Sequence, residues 1–450
     1  VDPAIAEITD FATNSRYDRL PDEVQRLASL LLLDTIGCAA GGYNSDAAAI
    51  ARRVLTPVSA DEATSGSVFG ADVRSTPEMA AFANTCAIRF LDYNDFYPAS
   101  HPSDMVGGLL ALARERDVDG SRFLSAMVVA YEVSARISDA TKMRRNGWDQ
   151  GFAIGLGTAA GVGHLLGCSA EVIGHALSIT ATANVHLRNT RAGNLSMWKG
   201  AATAYAVRNG VFAVQLAREG MTGPESPFEG RHGLFEQITG PVVLDAFPGR
   251  DATDYRLMRT SVKYWPVEYN AQAAIWAALK LREDVSMDDL DNVSIGTYWT
   301  SWHEIGSEPA KWDPLTRETA DHSMPFIFAA VMRDGTLDES TFEPESFLDA
   351  TLRPAMAKIS VYLDDECDAQ YPAHIVMKIK ATETTGKVHD FTITDPRGYW
   401  TNPMDEAEVQ AKFMRQADKL FGPEKSANLL SFWSSLSARP ELGHGFETVA

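Results

Sequence analysis

Residues 21–42 read PDEVQRLASLLLLDTIGCAAGG, and this stretch decides the fold class. Pro21-Asp22-Glu23 suits a helix first turn: proline there gives up only an amide hydrogen that the helix start cannot use, and acids face the positive end of the dipole. The apolar run 27–36 carries the helix on, and the small-residue cluster Gly37-Cys38-Ala39-Ala40-Gly41-Gly42 is expected to end it. Comparable helical patterns recur at 46–55, 76–91, 104–115, 120–138, 152–167, 169–182, 201–219 and 270–282, several closed by a glycine such as Gly167 or Gly220. Residues 4 to about 260 therefore read as almost entirely helical, and helix-on-helix packing follows. Two of these helices, GLGTAAGVG at 155–163 and GAATAYA at 200–206, are rich in small residues that permit close backbone approach. Both are expected at the centre of the bundle or against a dimer partner.

Beyond residue 285 the texture changes. Alternating or β-branched segments near 291–300, 356–363, 373–383 and 387–394 predict strands, and the last two flank Thr384-Thr385-Gly386, a hairpin signal. A helix near 319–333 interrupts them, and polar helical patterns return at 405–420 and 423–437. The expected architecture is mainly α, with a large all-helical domain over 1–265, rejoined by about 405–450, and a smaller α+β domain over 266–404.

With 450 residues, 45% hydrophobic and 22% charged, the chain can bury a large core and lies far from disordered compositions. Its formal charge of -20 argues against non-specific binding to nucleic acid or to an anionic membrane, since both demand a basic face. An anionic ligand would then need a local cationic pocket. No basic-then-apolar leader follows Val1-Asp2-Pro3, and no apolar run long enough for a membrane span is expected. The four cysteines, Cys38, Cys86, Cys168 and Cys367, form no CxxC pair and have no histidine at metal-ligand spacing, so no metal site is expected. Cys38 and Cys168 read as buried, reduced thiols, which fits a cytoplasmic compartment.

Polar residues concentrate in four islands: Asp92-Tyr93-Asn94-Asp95 with His101, Arg188 to Lys199, Lys263 to Asn270, and Arg317 to His322. The first could fold back to set a carboxylate beside an imidazole, a workable base and orienter, although helix capping explains Asp95 and Asp104 equally well. In the second, Arg188, Arg191 and Lys199 precede a helix and could bind carboxylates there, or could form solvated structural pairs. The third and fourth each open a helix, so capping competes with function for Asp321 and Ser323, and His322 alone reads as a satisfied polar group. GxGxxG after a strand, a Walker loop, HExxH and GxSxG are all missing, which leaves acid–base chemistry without a cofactor.

Taken in order, LLLDTIGCAAGG at 31–42, FLDYNDFYPASHPSDM at 90–105, RNGWDQG at 145–151, TRAGNLSMWKGAATAYAVRNGVF at 190–212, GMTGP at 220–224, VKYWPVEYNAQ at 262–272 and TRETADHSMP at 316–325 resemble the MmgE/PrpD family. Its members include 2-methylcitrate dehydratase, cis-aconitate decarboxylase and iminodisuccinate epimerase, and the segments are most similar to its MmgE-like branch. The resemblance implies a helical domain with an α+β lid, a site between them, a homodimer, no cofactor, and a small polycarboxylate substrate. By motif, Asp92 and His101 match the family's acid and histidine pair, Lys199 its lysine eleven residues before Gly210, and His322 the ADHS histidine. Asp149 stands where the family shows aspartate-histidine or histidine, but Gln150 follows it. The pattern P-x-E-[FY]-H-x-Q appears as Pro266-Val267-Glu268-Tyr269-Asn270-Ala271-Gln272, with asparagine in place of histidine. Asparagine can hold a carboxylate but cannot shuttle a proton.

The reaction implied is dehydration of a 2-methylcitrate-like hydroxy acid, with decarboxylation, epimerisation or mere polycarboxylate binding as alternatives. His101, oriented by Asp92, would move the α proton, with Asp149 among the catalytic groups and His322 or Lys199 assisting hydroxide departure. Arg191, Lys263, Arg317 and Lys199 would hold carboxylates, with Tyr269 and Asn270 also contacting substrate.

Overall fold

The computed structural model describes residues 2–59, 65–98, 100–114, 118–249 and 254–445. Among them the chain is mostly helical with one small mixed sheet, as the texture predicts.

The helix opened by Pro21 runs over Asp22–Gly42, straight through the cluster expected to end it. Its last turns are buried between Pro77–Arg89 and Glu406–Phe421, and only small residues fit there. A β-carbon on Gly42 would lie 2.1 Å from the Ala87 carbonyl oxygen, and one on Gly37 would lie 3.0 Å from the Phe413 Cα. Tertiary packing thus overrides the weak helix propensity of glycine. By length and composition this helix could cross a membrane, contrary to the expectation that no run is long enough, yet 72% of its apolar window is buried inside the fold. The glycine-rich helix Gly151–Leu165 is central and buried along its whole described length except His164. A β-carbon on Gly157 would sit 2.7 Å from the Ala130 oxygen of Gly120–Thr141, and one on Gly210 of Ala202–Arg218 would sit 2.6 Å from the Gly155 oxygen.

Between Met221 and Asn270 the described residues are largely irregular, with short turns of helix at Leu234–Ile238 and Arg256–Arg259. Helical continuity to 260 therefore over-reads this stretch, where Pro224, Pro227, Pro241 and Pro248 interrupt any regular ladder.

Two hairpin-like strands, β1 (Gly66–Ser67) and β2 (Arg74–Ser75), pair antiparallel. The larger sheet contains β3 (Leu290–Thr297), β4 (Ile359–Leu363), β5 (Val376–Glu383) and β6 (Val388–Thr394), in the order β4-β3-β5-β6. β3 lies parallel to β4 and antiparallel to β5, and β5 turns into β6 at the expected hairpin. β3 stops at Thr297, and the residues after it form the helix Trp299–Ile305. The helix expected at 319–333 is broken into Arg317–Ala320 and Met324–Asp334.

The apolar interior forms two main clusters. One gathers residues from Ala4 to Val262 and from Met404 to Leu442; the other gathers Val267 to Tyr399 together with Phe96. Phe96 crosses over because its amide and carbonyl exchange two 2.8 Å hydrogen bonds with Ser261. The 90–105 island is thereby fixed where the clusters meet. Cys38, Cys86 and Cys367 are buried free thiols; Cys168 is only half-buried, since it lies just past a helix end.

Candidate active site

The helix Pro77–Arg89 ends one turn before Asp92, whose φ of +48° reverses the chain; aspartate is among the few residues that tolerate this left-handed region. The reversed loop is pinned by Asp95, which accepts from the Ser103 amide and hydroxyl and from the Tyr131 hydroxyl at 2.8 Å. Asp95 is therefore a buried loop organiser. Its carbonyl oxygen lies 2.6 Å from His101 Nδ1. A carbonyl only accepts, so Nδ1 carries the hydrogen and Nε2 is bare.

Asp92 is the hub. Its Oδ1 meets Arg89 Nη1 and Lys263 Nζ, each at 2.5 Å, and its Oδ2 meets Lys199 Nζ at 2.9 Å. Lys263 also donates to the Asp92 carbonyl at 2.7 Å. Lys199 donates to both oxygens of Asp321, at 3.1 and 2.9 Å. His322 holds its Nδ1 hydrogen on Asp321 Oδ1 at 2.6 Å, which leaves its Nε2 bare and 3.8 Å from Asp92 Oδ2. His101 Nε2 stands 4.0 Å from Asp92 Oδ1. Two unprotonated ring nitrogens thus face one carboxylate from two sides.

His101, Lys199, Lys263 and His322, from four separate islands, converge on Asp92. The break between Arg317–Ala320 and Met324–Asp334 frees Asp321 and His322 to turn into the site, while Ser323 caps the second helix by accepting from the Phe326 amide.

Electrostatics follow from burial among cations. Burial pushes the Asp92 carboxyl up, but Arg89, Lys199 and Lys263 outweigh it and hold the group well below the usual carboxylate range. Asp321, likewise opposed by burial but paired with Lys199 and His322, is held down at about 2. Burial first, then the Arg89 and Lys263 charges, pushes His101 well below its ordinary value; burial and Lys199 bring His322 to about 3. Both imidazoles are neutral at neutral pH. Asp92, Asp321 and His322 offer ligand atoms within 4.8 Å of one another and could hold a cation, but the Lys199 ammonium already bridges the two carboxylates.

Several expected roles are corrected. Asp92 does not orient His101, because the Asp95 carbonyl does so; Asp92 is instead the counter-ion of three cations. Asp149 and Arg191 do not join the hub but pair with each other, Nε to Oδ1 at 2.7 Å, beside Arg188 and Glu304. Arg191 and Arg188 overcome burial and keep Asp149 far below the usual carboxylate range, so it cannot carry a proton at neutral pH. His322 holds no proton on its outward nitrogen to give to a leaving group before substrate arrives. The Tyr269 ring is buried flat on Phe96, centroids 3.8 Å apart, and Phe96 meets the His101 ring edge-on at 6.0 Å. Tyr269 therefore buttresses His101 from beneath. Asn270 donates to Glu268 Oε1 at 2.6 Å and accepts from the Tyr298 hydroxyl at 2.6 Å, so its polar atoms are engaged. Arg317 lies over the Phe90 ring and reaches Asp321 Oδ2 at 3.5 Å; its Nη2 is buried without a partner and remains available to an anion.

Three groups escaped the sequence reading. Arg89 was signalled by being the one cation in PEMAAFANTCAIR, a segment otherwise poor in charge. Asp34 was signalled by standing alone in an apolar run; it pairs at 2.6 Å with Lys412, which no local pattern marks. Lys412 also donates to the Tyr93 and Lys263 carbonyls at 2.7 and 2.9 Å, clamping the two loops that carry Asp92 and its partner lysine.

A helical body and a small α+β unit thus meet over buried ammonium and guanidinium groups flanked by neutral imidazoles, the arrangement of a protein that handles protons beside an anion. Comparison with known proteins agrees. Residues 6–245 match the MmgE/PrpD N-terminal domain and residues 265–436 the MmgE/PrpD C-terminal domain. The chain belongs to the MmgE/PrpD family. It is 26% identical over 392 residues to 2-methylcitrate dehydratase of Salmonella typhi, covering 82% of this chain and 79% of that one. It is 25% identical over 470 residues to 2-methylcitrate dehydratase of Cupriavidus necator, covering 96% and 93%. Human cis-aconitate decarboxylase is 24% identical over 442 residues, covering 94% and 89%.

Proposed function

We propose that this protein is a lyase that removes the proton beside a carboxylate of a small polycarboxylate, with dehydration of a 2-methylcitrate-like hydroxy acid as its reaction. The observation that carries the reading is the pair of bare Nε2 atoms, on His101 and His322, facing a carboxylate ringed by Arg89, Lys199 and Lys263. The relatives named dehydratase and decarboxylase share a demand: negative charge builds on an already anionic group as a bond beside it breaks. Fixed cations in a water-poor site meet that demand. Asp92 holds them in place until a substrate carboxylate competes for Lys199, Lys263 and the unpartnered Arg317 Nη2. Bound polyanion adds negative charge near His101, which raises its basicity from the depressed value of the empty site and readies it to accept the α proton.

The test is turnover of 2-methylcitrate, citrate and cis-aconitate by the purified protein, followed by NMR in deuterated water. Loss of water with a new carbon–carbon double bond supports dehydration, whereas loss of carbon dioxide or exchange without elimination would reassign the reaction within the family. His101→Gln should lower kcat by about 10²–10⁴-fold, the usual worth of a general base. Equal turnover by wild type and His101→Gln would overturn the assignment.

A further inference from the structure

Dehydration needs a second proton, delivered to the oxygen that leaves, and the ammonium groups of the hub are already committed to Asp92 and Asp321. His101 and His322 both present bare nitrogens, and Lys199 is shared between Asp92 and Asp321. Asn270 cannot release a proton.

Glu268 is joined to the hub through its backbone. Its amide donates to the Asp321 carbonyl at 3.2 Å, beside His322, and the residue that follows it is Tyr269, stacked beneath His101 through Phe96. Its two carboxyl oxygens each accept at 2.6 Å from Asn270, one from the backbone amide and one from the side chain. Among the described residues no cation lies within the 4.0 Å of an ion pair with it, unlike Asp92, Asp149, Glu304 and Asp321. Glu268 is 9% exposed, His101 6% and His322 5%, while Asp92, Asp321 and Lys263 are sealed at 0%.

Resting on the lyase reading above, we propose that Glu268 is the proton donor to the departing hydroxyl, held in place by Asn270. The α C–H bond breaks with its proton passing to His101 Nε2, and its electron pair becomes the carbon–carbon double bond. The C–O bond breaks with its pair on oxygen, which takes the Glu268 proton and leaves as water. The cycle closes when the His101 proton returns to Glu268 through solvent, so no other reactant is consumed.

The surroundings favour the acid form. Burial and the Asp92 charge push the Glu268 carboxyl up to about 7, with Glu304 adding to them and Lys263 and Arg144 opposing. Lys311, whose neighbours include Glu268 and Asp321, is a further cation on that side, and Tyr298 and Tyr371 face it as neutral phenols. A carboxyl driven up and an imidazole driven down divide the labour as an acid and a base require.

The experiment compares wild type, Glu268→Gln and Glu268→Asp. The side-chain carboxyl resonance of 13C-labelled glutamate that vanishes in Glu268→Gln should titrate near neutrality. Wild-type kcat/KM should fall as pH rises through that titration. Glu268→Gln should lose about 10²–10⁴-fold in kcat with KM within a few-fold, lose the alkaline fall-off, and still exchange the α proton in deuterated water because His101 is intact. Glu268→Asp keeps an acid on a shorter stem, so it should show lower kcat with the fall-off retained, and it supplies the test if Glu268→Gln does not fold. Unchanged elimination by Glu268→Gln, loss of the fall-off in Glu268→Asp, or a carboxyl titrating in the ordinary glutamate range would overturn the proposal and leave the lyase reading standing. A wild type that neither exchanges nor eliminates overturns both.

Discussion

Replacing Lys412 by methionine tests whether the site is held from behind by charge. Lys412 is 1% exposed and sits on Glu406–Phe421, far along the chain from its partner Asp34 on Asp22–Gly42. Its ammonium makes the 2.6 Å ion pair, donates to the Tyr93 and Lys263 carbonyls, and lies 3.7 Å from the Tyr93 ring centre. Burial works against the charged amine, but the Asp34 carboxylate more than offsets it and raises the Lys412 pKa. Methionine keeps the length and apolar stem while removing the charge. Asp34 is then buried alone, which costs about 3–5 kcal/mol. Two carbonyls lose a donor at about 1 kcal/mol or more each, and because these losses share one site they do not add fully. Lys412→Met should therefore lose roughly 4–6 kcal/mol, read as a lowered urea midpoint at unchanged slope. Asp34→Leu combined with Lys412→Met removes the stranded carboxylate and should recover most of that loss, leaving about 2 kcal/mol for the orphaned carbonyls. Catalysis should not recover with stability, because Tyr93 and Lys263 no longer share a clamp. A single variant within 1 kcal/mol of wild type, or a double variant no more stable than the single, would refute the reasoning.

Two further outcomes follow from the same packing and charges. His322 is held neutral in the fold, at about 3 against an ordinary 6.5, so its contribution to stability is whole above 6.5 and is lost as pH falls through that window. Thermal denaturation between pH 7 and about pH 4 should show a steeper loss for wild type than for His322→Asn, and equal slopes would show that the imidazole titrates normally. Gly42→Ala would place a methyl 2.1 Å from the Ala87 oxygen and force Asp22–Gly42 away from Pro77–Arg89, the helix that ends at Arg89 and leads into Asp92. A loss of about 2–3 kcal/mol or more in denaturant unfolding is expected, and an unchanged midpoint would show that the helices have room to move.

The helical body was legible because its signals are local and repeated. A periodic apolar run such as 27–36 states its own conformation, and strands on either side of Thr384-Thr385-Gly386 state their pairing. Misreadings arose where tertiary contact overrode local preference. The 37–42 glycines resemble a helix stop, yet they serve as the thin face on which Pro77–Arg89 and Glu406–Phe421 pack. The convergence of His101, Lys199, Lys263 and His322 could be anticipated only through resemblance, since their spacing contains no rule that brings them together. What each group does there was not legible at all. Asp92 was read as the orienter of His101, but which atom orients an imidazole depends on a loop closed by Ser103 and Tyr131, and no pattern encodes that closure. Asp149 and Arg191 were each sound candidates alone, and their mutual pairing removes both from the hub.

The arrangement also explains why so much charge can be buried. An isolated ammonium in this interior would lose its proton or unfold the site, whereas Lys199 between Asp92 and Asp321 is compensated before any substrate arrives. The compensation is incomplete in one respect: Asp92 answers Arg89, Lys199 and Lys263 at once, so Lys263, with no other carboxylate at ion-pair distance among the described residues, receives only part of a negative charge. In the proposed reaction a substrate carboxylate entering beside them supplies what is missing. Further negative charge, as a C–H bond breaks, strengthens that attraction more than it strengthens the pairing with Asp92, whose charge does not change. Stabilisation that grows along the reaction coordinate is what accelerates a step. Burial, together with the same cations, keeps both histidines unprotonated, so in the proposed reaction the groups that receive the substrate's charge also help prepare the base that creates it.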